Sequence, residues 1–403
     1  MKTIVIIEPA YSDNVHFPFN ASLLRTVADA YTAANVIFVG GAGQNKLIAS
    51  TLPKHILTRC AFRDWNVYGD RDTSPENVLI RLFNLAKVGA RAIFNADLLI
   101  LTSATGTVLT ALEIIPRKKN QKLQIFLHGN LNDLDGWRSR NPFRRIGDLH
   151  AAIGRAASNN TQFIVLEEHI RSSAGRKWPW IADKLQFFPH PIISEESVTH
   201  LKTLGAPIKI GLAGIASPDK GFVQFRELAH RMKTTFPERF EFHSVGKRHQ
   251  TNKDSDFEFL DTCPSEKQLE RADFLSQLDK MHFLFFWPTG EYYNNASSGV
   301  FYDAINRKIP ILSKTELKSL QPEIESMGVI CDSVEKLAEA LSEIGNSEYA
   351  TYVAGLTAYS ERLQPDALAV RFRHLVESFS EKPSAGPAIT EKILEISPSV
   401  EKL

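Results

Sequence analysis

The sequence has little that staples, anchors or tags a chain. Among its 403 residues are three cysteines, Cys60, Cys263 and Cys331, far apart and without a CxxC pair. That excludes a disulfide framework and a thiolate zinc site, and suits a reducing compartment. No apolar run approaches the roughly 18 residues that cross a bilayer; the best, AIFNADLLILTSA, is broken by Asn95 and Asp97. The opening MKTIVIIEPA has too short an apolar part for a signal peptide and reads as a first strand. A cytoplasmic protein is expected, at most peripheral to an inner membrane. There is no P-loop, no HExxH and no GxSxG. GGAGQN (40–45) lacks the third glycine of a dinucleotide turn and follows the second strand rather than the first, so a nicotinamide enzyme is not expected. The triplets Asp70-Arg-Asp72, Asp133-Leu-Asp135 and Asp254-Ser-Asp256 do not directly end apolar strands, as a metal-held diphosphate would want, and read as loop residues. No metal, no cofactor and no nucleic-acid partner is expected.

What is present is alternation. Short apolar runs at 3–9, 35–41, 96–103, 123–129, 161–168 and 185–191 are separated by helical patterns such as LLRTVADAYTAA and NVLIRLFNLAKVGA. The plan repeats at 207–214, 240–246, 256–261, 282–288, 308–313 and 328–332, with helices near 221–235, 265–280, 297–306 and 333–345. Strands alternating with helices give parallel sheets covered on both faces. Two such series predict an α/β protein of two doubly wound, Rossmann-like domains facing a cleft. The expected division is 1–192, a polar linker at 193–207, a second domain at 208–348, a helical segment at 349–380 returning to the first domain, and a disordered tail at 381–403. Net charge is +1, yet residues 1–190 carry 23 Lys+Arg against 15 Asp+Glu, and the rest 24 against 31. A basic half beside an acidic half suggests an anionic partner for the first, although any single charge run reads more simply as a solvated surface.

Ligands of such folds bind outside the carboxyl ends of the strands, which singles out several stretches. In NASSGVFYDAINRKIPIL (295–312), small polar residues lead into a short helix, capped by Asn295 or Ser297, and then a buried strand. A helix start suits a phosphate; an ordinary capped helix reads the same way. GLAGIASPDKGF (211–222) follows a strand, with Gly214 allowing a tight turn and Lys220 at the helix start, where a cation suits a diphosphate. A surface lysine in a loop is the plainer alternative. His128 ends the strand QIFLHG, and His16 follows the first strand; each suits an acid, a base or a structural histidine. WRSRNPFRR (137–145) interleaves Trp137 and Phe143 with Arg138, Arg140, Arg144 and Arg145.

Taken together and in order, these stretches resemble the retaining glycosyltransferases of the GT-B fold, of the large family-four type, from about residue 90 to 345. That family's Gly-Arg-x-x-Pro-Glu-Lys-Gly loop falls on Gly214-Ile215-Ala216-Ser217-Pro218-Asp219-Lys220-Gly221. The end of its Glu-x7-Glu segment, with the Ala-rich run that follows, falls on Asp303 to Leu312. FFPHPI (187–192) looks like the family's crossing into the second domain, and LQIFLHG like its acceptor-domain strand ending in His. The resemblance implies that Asp303 holds the ribose hydroxyls of a nucleotide-sugar. It implies that Asn295, Ala296, Ser297 and Ser298 lead up to the diphosphate, that Lys220 neutralises the leaving group, and that His128 lies near the reacting sugar. It also implies retention of configuration, a metal-independent transfer and, for the type, a part in bacterial surface polysaccharide synthesis. His16, Arg138, Arg144 and Arg145 are the candidate contacts to a glycan or lipid-linked acceptor. The sequence departs from the pattern in three places: Ile215 replaces the loop arginine, the first glutamate falls on Asn295 or, with an insertion, on Glu291, and EPAYSDNVHF replaces a glycine-rich first loop. Those departures keep two alternatives in play, a GT-B sugar-nucleotide epimerase and a non-catalytic binding partner.

Overall fold

The computed structural model describes residues 2–11, 16–65, 94–114, 118, 120–135, 148–156, 160–193, 203–319 and 322–380. The helical pattern at 77–90, the arginine-rich segment with Arg138, Arg144 and Arg145, most of the linker and the tail lie outside the described residues.

The first series of apolar runs forms β1 (Thr3–Ile7), β2 (Asn35–Gly40), β3 (Cys60–Asp64), β4 (Leu98–Leu101), β5 (Lys122–Phe126), β6 (Thr161–Val165) and β7 (Leu185–Phe187). They pair in parallel in the order β3-β2-β1-β4-β5-β6-β7. Strand periodicity divides their side chains between two cores. Val5, Ile7, Leu99 and Leu101 fill one face, and Ile4, Ile6, Leu98 and Ile100 the other.

The second series forms β8 (Ile208–Ala213), β9 (Phe240–Val245), β10 (Phe283–Phe285), β11 (Ile311–Lys314) and β12 (Gly328–Cys331), again parallel, in the order β12-β11-β10-β8-β9. Each sheet therefore reverses its winding at one place, between β1 and β4 in the first and between β8 and β10 in the second. Loops leaving the strands there diverge to opposite faces and open a crevice.

The last helix, Pro365–Glu377, packs against the first sheet's helix Phe17–Ala30, and places Leu368, Ala369, Phe372 and Val376 in the first sheet's core. Where the chain crosses between domains, the Ile192 amide donates to the Leu363 carbonyl at 3.0 Å. Among the described residues, no helix is long and apolar enough to cross a membrane.

Three local expectations change. Residues 256–261 are not a strand: Asp254–Phe257 is a 3-10 turn, in which the Asp256 carboxylate accepts from the Lys253 amide at 2.7 Å. A side chain that serves the backbone locally competes with ladder pairing. β3 was not expected; it is an edge strand whose residues are mostly half-buried or exposed, so it lacks a continuous apolar run. The helix in 295–312 spans Gly299–Arg307 and is capped by Ser298, whose hydroxyl accepts from the Phe301 amide at 3.4 Å, not by Asn295 or Ser297.

Candidate functional site

In the second domain the site grows from the loops leaving β8 and β10. Gly214 has φ +87° and Gly221 φ +82°, and a Cβ on Gly221 would lie 2.3 Å from the Trp287 carbonyl oxygen. The two glycines let the loop fold back beneath the chain that follows β10. This brings Lys220 over Gly214: a Cβ there would lie 3.0 Å from Nζ and 3.5 Å from a Val300 methyl. Val300 belongs to the first turn of the Gly299–Arg307 helix. Lys220 is half-buried, has no hydrogen-bond or ion-pair partner among the described residues, and burial pushes its pKa below the ordinary lysine range. A cation that is partly desolvated, unpaired and set at a helix start is poised for an anion.

Along the loop after β10, Glu291 is exposed, and Asn295, Ala296 and Ser298 are buried. The Ser297 hydroxyl and the Asn295 side-chain carbonyl are buried without a partner among the described residues. Asp303 sits further along the helix, where both terminal guanidinium nitrogens of Arg271 donate to it. Ile215, in the place the resemblance gives to arginine, is 41% exposed and so offers the site a bare methyl surface instead of a charge.

In the first domain the loops after β1, β4, β5 and β7 converge. Glu8, just past β1, is wholly buried. Its carboxylate accepts from the amides of Ala10 and Tyr11 at 3.0 and 3.2 Å, from Asn20 Nδ2 at 3.1 Å, from the Thr102 hydroxyl at 2.8 Å and from the Ser103 hydroxyl. His16 Nδ1 lies 3.4 Å from Glu8 Oε2. Burial alone would push the Glu8 carboxyl up; His16, Ser103 and the Ala10 amide overcome it and hold the pKa below the usual range. The His16 backbone is left-handed, with φ 58°, a region that histidine enters more readily than most side chains.

The His16 ring lies 3.9 Å from that of Tyr11 and 4.5 Å from that of His128, centroid to centroid. Phe19 meets His128 edge-on at 4.4 Å and His190 at 5.1 Å. Burial, then the charges of His16 and His190, push His128 well below the ordinary histidine range. Burial brings His190 to about 4. His128 Nε2 is buried without a partner among the described residues. A neutral ring with a free nitrogen serves as an acceptor for a hydroxyl or as a base.

The two halves touch. Asn132 donates to the Tyr292 carbonyl at 3.1 Å and accepts from Asn295 Nδ2 at 3.2 Å. Tyr302 stacks on His190 at 4.0 Å and donates to Glu167 at 3.2 Å. His169 bridges Glu167, at 3.2 Å, and the Tyr293 carbonyl, at 3.2 Å. A Cβ on Gly129, beside His128, would lie 2.9 Å from the Tyr292 hydroxyl and 3.7 Å from Ala296.

Thus Gly214 and Lys220 come together beside the helix led by Ser297 and Ser298, while Asn295 and Ala296 meet the first domain next to His128 and His16. Glu291 lies at the rim, and Asp303 has a protein partner already. Sequence reasoning missed Glu8, Glu167, His169, His190, Arg271 and Tyr302. His190 could have been found, since FFPHPI is itself a strand end; Arg271 left no signal, because its partner lies 32 residues away.

No protein-family model matches the chain, and no curated protein matches it. Solved structures do. The chain is similar to the Escherichia coli trehalose-6-phosphate structure bound with UDP-2-fluoro glucose, with a TM-score of 0.60 and 8% identity over 95% of this chain and 100% of that one. It is similar to a UDP-forming α,α-trehalose-phosphate synthase from Burkholderia xenovorans in complex with glucose-6-phosphate, with a TM-score of 0.55 and 9% identity over 94% and 100%. A glycosyltransferase from Rickettsia africae gives a TM-score of 0.56 and 10% identity over 94% and 98%. At such identities the likeness speaks for the fold: two Rossmann-like domains facing a cleft, the GT-B arrangement.

Proposed function

We propose that the chain is a glycosyltransferase that moves a sugar from a nucleotide diphosphate sugar to a glycan or lipid-linked acceptor. The observation that carries this reading is Lys220, half-buried beside Gly214 and unpaired among the described residues, with Val300 of the first turn of the Gly299–Arg307 helix on the same glycine. Together the ammonium and the helix start offer positive charge to a departing diphosphate, the part a divalent ion plays in other transferases. Asp303 would hold the ribose while braced by Arg271, and His128 Nε2 would meet a sugar hydroxyl.

The UDP-sugar and glucose-6-phosphate named for the neighbouring structures are the first donor and acceptor to try. A lipid-linked acceptor remains part of the reading because WRSRNPFRR combines arginine forks with aromatics, which suits phosphate at a cytoplasmic membrane face. A place in bacterial surface polysaccharide synthesis follows from the family resemblance. The deciding experiment incubates the protein with a panel of nucleotide-sugars and reads thermal stabilisation and release of nucleoside diphosphate. Neither effect with any donor would sink the proposal.

A second reading, a nucleotide-sugar-binding partner without catalysis, is favoured by two observations. Arg271 already engages Asp303, and the Asn295 amide is spent on Asn132. It predicts stabilisation without release. An epimerase of the same fold would instead convert the donor sugar and need no acceptor.

A further inference from the structure

We propose that the open face of Tyr292 is a platform on which the ring of the acceptor sugar stacks, and that the acceptor therefore ends in an uncharged pyranose. This rests on the transferase reading and names the acceptor class for the same site.

The argument begins with a ring that is both exposed and fixed. Tyr292 is 52% exposed. Its carbonyl nevertheless accepts from Asn132 Nδ2 at 3.1 Å and from the Asn295 amide at 3.3 Å. Its ring meets that of Tyr293 edge-on, 5.2 Å between centroids. Its hydroxyl lies over Gly129, where a Cβ would be only 2.9 Å away, so glycine leaves the room that the ring occupies. The side chain is thus set at its backbone, its edge and its tip, and the rest stays open. Burial, then the charge of Asp133, push its pKa above the ordinary tyrosine range, so the ring remains uncharged. A ring already held in place gives up little freedom when a ligand lands on it.

The polar atoms beside it follow from hydrogen-bond logic. A carbonyl only accepts, so Asn132 turns its amino group to Tyr292 and its oxygen to Asn295. Asn295 must then give its own amino group to Asn132, and its oxygen is left over. That residue is 3% exposed, and the oxygen has no partner among the described residues. A buried lone acceptor asks for a donor. His128 Nε2 is a second such acceptor. Tyr292 and Ala296 both approach Gly129, the residue after His128, so the ring and the two acceptors gather at one place between the domains. A pyranose matches that set, with a C–H face for the ring and hydroxyl donors for the acceptors. A phosphate dianion has no donor and no apolar face, and would meet the charge of Asp133. With the diphosphate assigned to Lys220 in the second domain, the ring that crosses to Gly129 of the first receives the incoming sugar.

The test uses the full-length protein with maltose, cellobiose, dodecyl maltoside below its micelle concentration, and glucose-6-phosphate. Binding is read without turnover, by saturation-transfer NMR in the presence of UDP. Wild type should pass saturation to the ring C–H protons of a neutral sugar and bind glucose-6-phosphate more weakly. Tyr292→Ala should bind that sugar about tenfold more weakly, and Tyr292→Phe, which keeps the stacking face, about as well as wild type. All three proteins should bind UDP equally by calorimetry, since the backbone contacts of residue 292 survive both changes. A tighter dodecyl maltoside, with the same dependence on Tyr292, assigns the ring to a lipid-linked glycan; equal affinities for it and maltose assign it to a free one. No contact with any neutral sugar, a preference for glucose-6-phosphate, or Tyr292→Ala that binds like wild type would overturn the platform. So would Tyr292→Phe as weak as Tyr292→Ala, because the hydroxyl and not the face would then be at work. Release of nucleoside diphosphate from the donor panel is scored apart. Its absence with sugar binding intact would remove the transferase reading and leave the platform standing.

Discussion

Arg271 holds Asp303 through two nearly parallel hydrogen bonds, of 2.5 and 3.0 Å, with both side chains largely withdrawn from solvent. The acid proposed to meet a ribose thus has a fixed orientation before any ligand arrives. Asp303→Ala is expected to weaken nucleotide binding by about 1.5–3 kcal/mol, the range for charge-assisted bonds. It should also lower folding stability by about 1–3 kcal/mol, because the Arg271 guanidinium loses two of its hydrogen bonds. Arg271→Met should share the stability loss but keep most of the binding. Calorimetry and urea melts on the two variants decide this; unchanged nucleotide affinity in Asp303→Ala would remove the ribose role.

Lys220→Ala tests the leaving-group cation. Turnover should fall about 10²–10³-fold, as for loss of one oxyanion donor. Stability without ligand should not fall, since no protein partner is lost. The depressed pKa means that the unfolded chain binds the proton more readily than the folded one. This group's contribution to stability therefore rises with pH through the window below the ordinary lysine value. Nucleoside diphosphate should raise the melting temperature of wild type more than that of the variant. Equal shifts would place the phosphates elsewhere.

His190 makes the first domain acid-sensitive. Burial holds its folded pKa at about 4, below the ordinary histidine value of 6.5, so between those limits the unfolded state takes up the proton and the folded state does not. Stability is full above pH 6.5 and declines as pH falls toward 4; His128, shifted the same way, adds to the slope. His190→Phe keeps a ring against Tyr302 and Phe19 and should flatten the decline. Parallel melting curves from pH 7 to 4.5 for variant and wild type would contradict the assignment.

Tyr302→Phe removes the hydroxyl that reaches Glu167 across the domains while keeping the stack on His190. The acid keeps His169 but loses a donor, at a cost of about 1–3 kcal/mol. The expected result is a looser closed state, seen as a larger radius of gyration by X-ray scattering and faster proteolysis between the domains. An unchanged radius would show that Asn132 and His169 suffice.

Arg144 and Arg145 carry the membrane part of the reading. Binding to anionic vesicles at low salt should be lost in the double alanine variant and fade as ionic strength rises, with donor affinity intact. Sedimentation that ignores the double substitution would leave the segment as a solvated loop.

The fold class was legible because β1, β2, β4, β5 and β8 are apolar runs buried on both faces, which only a covered parallel sheet requires. β3 escaped because an exposed edge needs no such run, and 256–261 misled because Phe257 and Phe259 alternate with Asp256 and Glu258, although Asp256 serves a turn and an ion pair with Arg226. At the site, Lys220 and His128 were visible from their places after strands. Glu8 was not, since a lone acid in IIEPA looks like the end of a strand, and its meaning comes from Asn20, Thr102 and Ser103, which folding brings to it. Distant partners of this kind have no periodicity to betray them.

The helix Pro365–Glu377 lies after the whole second sheet in the chain, yet roofs the first. The lobes are therefore not beads on a string, and neither can be traded as a cassette during evolution or cut out intact at one boundary. A gene fragment ending before residue 365 would leave the groove that Leu368, Phe372 and Val376 fill open beside the Phe17–Ala30 helix, and its product should be sticky and poorly soluble. The segment leaving β7 and the segment leading to this helix meet where the Ile192 amide donates to the Leu363 carbonyl, so two chain connections join the lobes.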